Sequence, residues 1–196
     1  MHLSSLQKMK AFREKYLNHL VAKNIKILDL GSQDVNGSYK PIFDIPGWTY
    51  VGVDVSPGRN VDVVLSSPYR WSQFPKNSVD VIISGQAFEH IDFFWLTILE
   101  MRRVLKRDGI CCIIAPSSGP EHRYPIDCWR FYPDGLKALA NFAGLNPLEV
   151  YTQWDNVDVY TDGSNAWHDS VLIAKKRQLG FRRELKLHLT SLLLNP

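Results

Sequence analysis

A doubly wound α/β domain, with a mostly parallel seven-stranded sheet covered by helices on both faces, is the fold class that this sequence predicts. Three observations carry the prediction. Short apolar runs recur at 25–30 (IKILDL), 49–55 (TYVGVDV), 79–84 (VDVIIS) and 110–115 (ICCIIA). Segments of helical periodicity stand between or beside them. Turn residues such as Asn24, Asp108, Gly109 and Pro116 separate the two kinds.

Taken in order, Met9, Phe12, Tyr16 and Leu20 recur at helical spacing and predict one amphipathic helix over 3–23. The strands 25–30 and 49–55 follow, then a shorter one at 61–65 and another at 79–84. Over 92–105, Phe94, Ile98, Met101 and Leu105 share a helical face. Arg102, Arg103, Lys106 and Arg107 sit at its C-terminal end, where the helix dipole favours cations. Asp108 and Gly109 close that helix, and 110–115 is the fifth strand. A helix from Pro133 to Gly144 precedes the last two strands, 148–153 and 169–175. Residues 179–196 read as a basic amphipathic helix, its stripe formed by Phe181, Leu185, Leu189, Leu192 and Leu193. That stripe is expected to pack on the N-terminal helix or a second subunit rather than on a membrane, which makes a homo-oligomer the expected partner.

The 196 residues suit one domain, 1–178, with the helix 179–196 appended. A hydrophobic share of 45% and a charged share of 22% are ordinary for a globular protein. The net charge of +3 is too small and too scattered to predict nucleic-acid binding. Three cysteines, two of them the adjacent Cys111 and Cys112, give neither a disulfide framework nor a zinc spacing. The first residues carry Lys8, Lys10, Arg13, Glu14 and Lys15 instead of an apolar leader, and no run of about 18 apolar residues occurs. A cytoplasmic protein without a transmembrane segment is expected.

In such a sheet, ligands bind outside the strand C-termini where the strand order reverses. The first strand runs into Asp29-Leu30-Gly31-Ser32-Gln33-Asp34-Val35-Asn36-Gly37. Gly31 allows close approach of the backbone to a ligand. Ser32, Gln33 and Asp34 stand where a phosphate-binding loop would need further glycines. The second strand ends in Asp54, which can accept hydrogen bonds from both hydroxyls of a ribose, or else cap the turn before Pro57 and Gly58.

ILDLGSQDVNGS, YVGVDVSPG, FPKNSVDVIISGQAFEHI and LEMRRVLKRDGICCIIAP resemble, in that order, the motifs of class I S-adenosylmethionine-dependent methyltransferases, most closely the small "methyltransferase domain 11" type. The resemblance covers about residues 25–145. It implies S-adenosylmethionine as cofactor and S-adenosylhomocysteine as product. It places Gly31 and Ser32 beside the methionine part, Asp54 on the ribose, and Ser84, Gly85 and Gln86 toward the methyl group and substrate. Asp29, Val55 and Ser67 complete the implied cofactor set. The acid that the family sets against the adenine amino group is missing from Ser66-Ser67-Pro68-Tyr69, which leaves that contact to backbone groups. Gln33 replaces the second glycine of the first motif.

The loop after the fifth strand, 117–132, is long, aromatic and rich in ionisable groups, and it lies on the ligand edge. Arg123, Tyr124, Asp127 and Arg130 are candidates for binding the acceptor. Asp127 can equally pair with Arg123 or Arg130 and hold the loop together. Trp129, Phe131 and Tyr132 read as packing residues. A hydroxyl acceptor benefits from a general base near neutral pH, for which His122 is the first candidate and His90 the second. His90 reads equally as a residue that packs at the next helix, and His168 is a third candidate. No metal spacing is visible, so metal-independent transfer to an oxygen or nitrogen of a small molecule or glycan is expected. A nicotinamide-dependent dehydrogenase and a catalytically silent scaffold are the competing readings. The first lacks its glycine fingerprint.

Overall fold

The apolar runs become the strands of one seven-stranded sheet in this computed structural model, which describes residues 2–194. β1 (Ile25–Leu30), β2 (Trp48–Asp54), β3 (Val63–Val64), β4 (Val79–Gly85), β5 (Leu105–Pro116), β6 (Leu145–Thr152) and β7 (Asp169–Lys176) lie in the order β3-β2-β1-β4-β5-β7-β6. The first five are parallel, and β7 runs antiparallel to both β5 and β6. The order reverses between β1 and β4, and the C-terminal ends of these two strands form the edge at which a doubly wound sheet binds ligands.

Both faces of the sheet are covered, because β1, β4 and β5 carry apolar side chains at successive positions. Met9 and Phe12 of α1 (Leu3–Phe12) pack with Ile27, Tyr39, Val81 and Ile173 on one face. Ile98 of α2 (Phe94–Val104) and Leu136 of α3 (Pro133–Phe142) pack with Leu28, Ile82 and Ile113 on the other. Cys111 and Cys112 are buried thiols in this core.

Several elements depart from expectation for identifiable reasons. The helix expected over 3–23 gives way at Arg13–Leu17 to a π turn and at Asn18–Leu20 to a 3-10 turn. The wider π turn shifts the phase of the side chains. Leu17 is thereby buried, while Tyr16 stays half-buried and donates its hydroxyl to Glu149. The strand expected over 61–65 keeps only two paired residues, since the Asp62 carboxylate accepts the Gly52 amide at 2.7 Å in place of a longer ladder. β5 begins at Leu105, and Asp108 adopts φ 63° within it, so Asp108 and Gly109 form an irregularity in the strand rather than the helix end.

Arg102 is not a solvated cation at a helix end. It is buried, and it donates to both oxygens of Glu184 (3.0 and 2.5 Å) and to the Arg177 carbonyl (3.1 Å). This bidentate pair docks α4 (Phe181–Leu194) on α2, with Leu187 against the core. The stripe Phe181, Leu185, Leu189, Leu192 and Leu193 therefore faces away and stays exposed, contrary to its expected packing on the N-terminal helix. No helix among the described residues is long and apolar enough to cross a membrane. The outer limits of the two expected segments, residues 1 and 196, lie outside the described residues.

Candidate functional site

The C-terminal edge starts at Gly31, where the chain leaves β1 with φ 79°. The amides of Gly31 and Ser32 both donate to the Val53 carbonyl, at 2.9 and 3.1 Å. A Cβ on Gly31 would lie 2.4 Å from that of Ala87, so the loops after β1 and β4 touch at this glycine. Asp54, half-buried at the end of β2, accepts the Gln33 amide on one oxygen (3.2 Å) and the Ser56 amide on the other (3.1 Å). Each carboxylate oxygen keeps further acceptor capacity. Ser32 donates its hydroxyl to the Asn60 carbonyl at 2.9 Å. Val55 is exposed, and the Ser67 hydroxyl accepts the Tyr69 amide at 3.2 Å.

Asp29 lies below this edge, buried, with Tyr50 donating to one oxygen and no partner on the other. Burial pushes its carboxyl up to about 7, against the opposing effect of the Tyr50 hydrogen bond. The three residues expected to face the methyl group are held more tightly than anticipated. Ser84 is fully buried and donates to the Leu30 carbonyl at 3.0 Å, bridging β4 to β1. Gly85 lies under Tyr39, whose hydroxyl would stand 1.8 Å from a Cβ there. Gln86 takes φ 56° and donates its side-chain amide to Asp169 at 2.9 Å, which ties it to β7. The Ser84 and Gln86 side chains thus serve the sheet in this arrangement.

The loops after β4 and β5 meet around Glu89, which the sequence reading did not single out. Its side chain is completely buried, and neither carboxylate oxygen has a hydrogen-bond partner in another residue. Burial pushes this carboxyl up to about 8. His90 packs its ring at 4.8 Å from that of His122, and the His122 ring lies 4.6 Å from Trp167. The two candidate bases are therefore neighbours. His168 is apart from them, with its Nδ1 at 3.1 Å from the Gln153 carbonyl.

Asp127 and Arg130 form a bidentate pair at 2.6 and 2.8 Å, which holds the Asp127 carboxyl far below its usual range. Asp127 also accepts the His122 amide at 2.7 Å. These two residues thus pair and organise the loop, one of the two arrangements open to Asp127. Arg123 pairs with Glu121 in solvent, and Tyr124 is exposed beside His90. Of the three expected packing aromatics, Phe131 alone is buried. A cavity of about 330 Å³ opens at the opposite end of the strands, lined by Leu20, Asp80, Lys106 and Asp108 among others, and holds none of the candidate residues.

A sequence model of the family described as "Methyltransferase domain" matches residues 28–113, from β1 into β5. No curated protein matches the chain. Among solved structures, it is similar to a 1,6-didemethyltoxoflavin-N1-methyltransferase of Burkholderia thailandensis with bound 1,6-didemethyltoxoflavin and S-adenosylhomocysteine. Identity is 16% over 89% of this chain and 79% of that one, with a TM-score of 0.67. A SAM-dependent methyltransferase of Archaeoglobus fulgidus matches at 16% identity over 88% and 95%, with a TM-score of 0.60. The [4+2]-cyclase SpnF matches at 17% over 82% and 80%, with a TM-score of 0.58. At such identities the likeness is one of fold. The family model matches residues 28–113, and the described chain shares the fold of these solved S-adenosylmethionine-dependent methyltransferases.

Proposed function

We propose that this chain transfers the methyl group of S-adenosylmethionine to an oxygen, or a nitrogen, of a small molecule or glycan. The observation that supports this best is the Asp54 carboxylate at the end of β2, beside the Gly31 turn. A ribose presents two adjacent hydroxyl donors, and a carboxylate can accept both through charge-assisted bonds. The unpartnered oxygen of Asp29 suits a cationic group such as the ammonium of the methionine part. The cofactor, when bound, supplies a methyl group already activated by its sulfonium.

The chain's own residues then hold the acceptor atom in line with that methyl group, and positioning of this kind can contribute about 7–11 kcal/mol. His90 and His122 are the side chains set to meet the acceptor, with Asp127 positioning His122 through its amide. Calorimetry should show binding of S-adenosylmethionine and S-adenosylhomocysteine but not of NAD. Acceptors are then screened by release of S-adenosylhomocysteine, and His122→Ala should lower turnover much more than cofactor affinity. Cofactor binding without release from any acceptor would favour a scaffold, and binding of NAD alone a dehydrogenase.

A further inference from the structure

Glu89 is a fully buried side chain whose two oxygens have no hydrogen-bond partner beyond the pull of the residue's own backbone amide. An unpaired carboxylate in such surroundings is costly unless a proton or a cation accompanies it. The nearest guanidinium, that of Arg130, is directed elsewhere. It donates to Asp127 and to the carbonyls of Trp129 and Pro120.

What does surround Glu89 is imidazole. His90 Nε2 lies 3.7 Å from Glu89 Oε1, while its Nδ1 is held 2.5 Å from the Ile126 carbonyl. A backbone acceptor on one ring nitrogen fixes the tautomer and leaves the other nitrogen as a lone-pair donor, the arrangement found at metal-binding histidines. The His122 ring stands against His90, and its Nδ1 makes no hydrogen bond, though Asp127 Oδ2 is 3.4 Å away. One ligating atom each from Glu89, His90 and His122 falls within 4.8 Å of the others.

We propose that Glu89, His90 and His122 bind a divalent transition-metal ion, zinc being the first candidate. Two imidazoles and one carboxylate make a donor set that suits zinc or iron(II) and leaves positions open. Metal–ligand bonds of about 2.0–2.1 Å in a tetrahedral arrangement put donor atoms roughly 3.3 Å apart. The Glu89–His90 pair is already near that spacing, and a modest closure of the His122 loop completes it. The sequence hides the set because His122 lies on a different loop from Glu89 and His90. A nitrogen bound to a metal cannot act as a general base, so this assignment replaces the base role expected for the two histidines. It does not depend on methyl transfer. If that reading also holds, the open positions face an acceptor oxygen.

The test uses the tag-free full chain after chelation, titrated with Zn²⁺ by calorimetry, and with Co²⁺ followed by its visible ligand-field absorption. One equivalent should bind in the absence of any cofactor. Glu89→Gln and His122→Asn should each weaken binding more than about a hundredfold, and Arg123→Ala should leave it unchanged. Cys128 is an exposed free thiol, so Cys128→Ser must also bind as the wild type does. Should Glu89→Gln not fold, the surface-loop variant His122→Asn carries the test. The proposal is overturned if the wild type binds neither ion. It is equally overturned if folded Glu89→Gln or His122→Asn binds unchanged, or if Cys128→Ser abolishes binding. A negative result here leaves cofactor calorimetry unaffected.

Discussion

Around Asp54 the chain satisfies its carboxylate with backbone amides, whereas around Glu89 it buries a carboxylate with no hydrogen-bond partner from another residue on either oxygen. The first half of the site is built from residues near one another in sequence, on two loops that both touch β2. The second half gathers Glu89 and His90 from the loop after β4, and His122, Asp127 and Arg130 from the loop after β5. Unpartnered polar atoms occur in both halves, since Asp29 and Asn60 each keep one free oxygen. Those groups have other atoms that bond, through Tyr50 to Asp29 and from Asn60 to Ser32. The contrast suggests a division of labour, in which one half is prearranged for a ligand rich in hydrogen-bond donors and the other is incomplete without a proton or a cation.

Substitutions at the meeting point should break the distinction most severely. Gly31→Val forces a branched side chain into a backbone with φ 79° and against Ala87. We expect cofactor binding to be lost and stability to fall by about 1–3 kcal/mol or more. Normal binding with an unchanged melting temperature would show that the two loops do not meet as described.

A change confined to the second half should leave the first intact. Asp127→Ala removes the carboxylate partner of Arg130, which keeps the Trp129 and Pro120 carbonyls, and the acceptor of the His122 amide. Arg130 is partly exposed, so the cost is expected at about 2 kcal/mol, below that of a fully buried pair. Denaturant unfolding measures it, and cofactor affinity should stay within about twofold. A parallel fall in cofactor affinity would mean that the halves are coupled.

A pH dependence should mark the first half. Asp29 is pushed up to about 7 in the folded chain from 3.8 in the unfolded chain. Between those values the folded state keeps a proton that the unfolded state has lost, so stability should decrease as pH rises from about 4 to about 7. Glu89, pushed up to about 8, adds a slope of the same sign, so in thermal melts without cofactor Asp29→Asn should reduce the slope and leave the Glu89 part. An identical slope in the variant would assign it to other groups.

Residues whose position comes from local pattern were legible in the sequence. Gly31 and Asp54 follow short apolar strands at a recurring spacing, and the structure places both at the C-terminal edge of the sheet. The strands themselves were marked by short, mainly apolar runs, because a sheet covered on both faces requires them. What depended on distant partners was not legible. The π turn at Arg13–Leu17 changes the helical phase without a proline or glycine to announce it. The stripe of α4 defines an apolar face, but the Arg102–Glu184 pair decides which face docks. Asp127 had two arginine candidates, Arg123 four residues before it and Arg130 three after, and only the fold selects Arg130. Glu89 stood in a segment that carries the family resemblance but had no chemical role there, and its chemistry arises from burial.

The most direct test of the cofactor assignment is a calorimetric titration of S-adenosylmethionine into the wild-type chain and into Asp54→Ala, with circular dichroism to confirm the fold. Loss of charge-assisted hydrogen bonds worth about 1.5–3 kcal/mol should weaken binding roughly tenfold to a hundredfold. Asp54→Asn, which keeps an acceptor for the loop amides, should fall between the two. A folded Asp54→Ala variant that binds S-adenosylmethionine as tightly as the wild type would contradict the account.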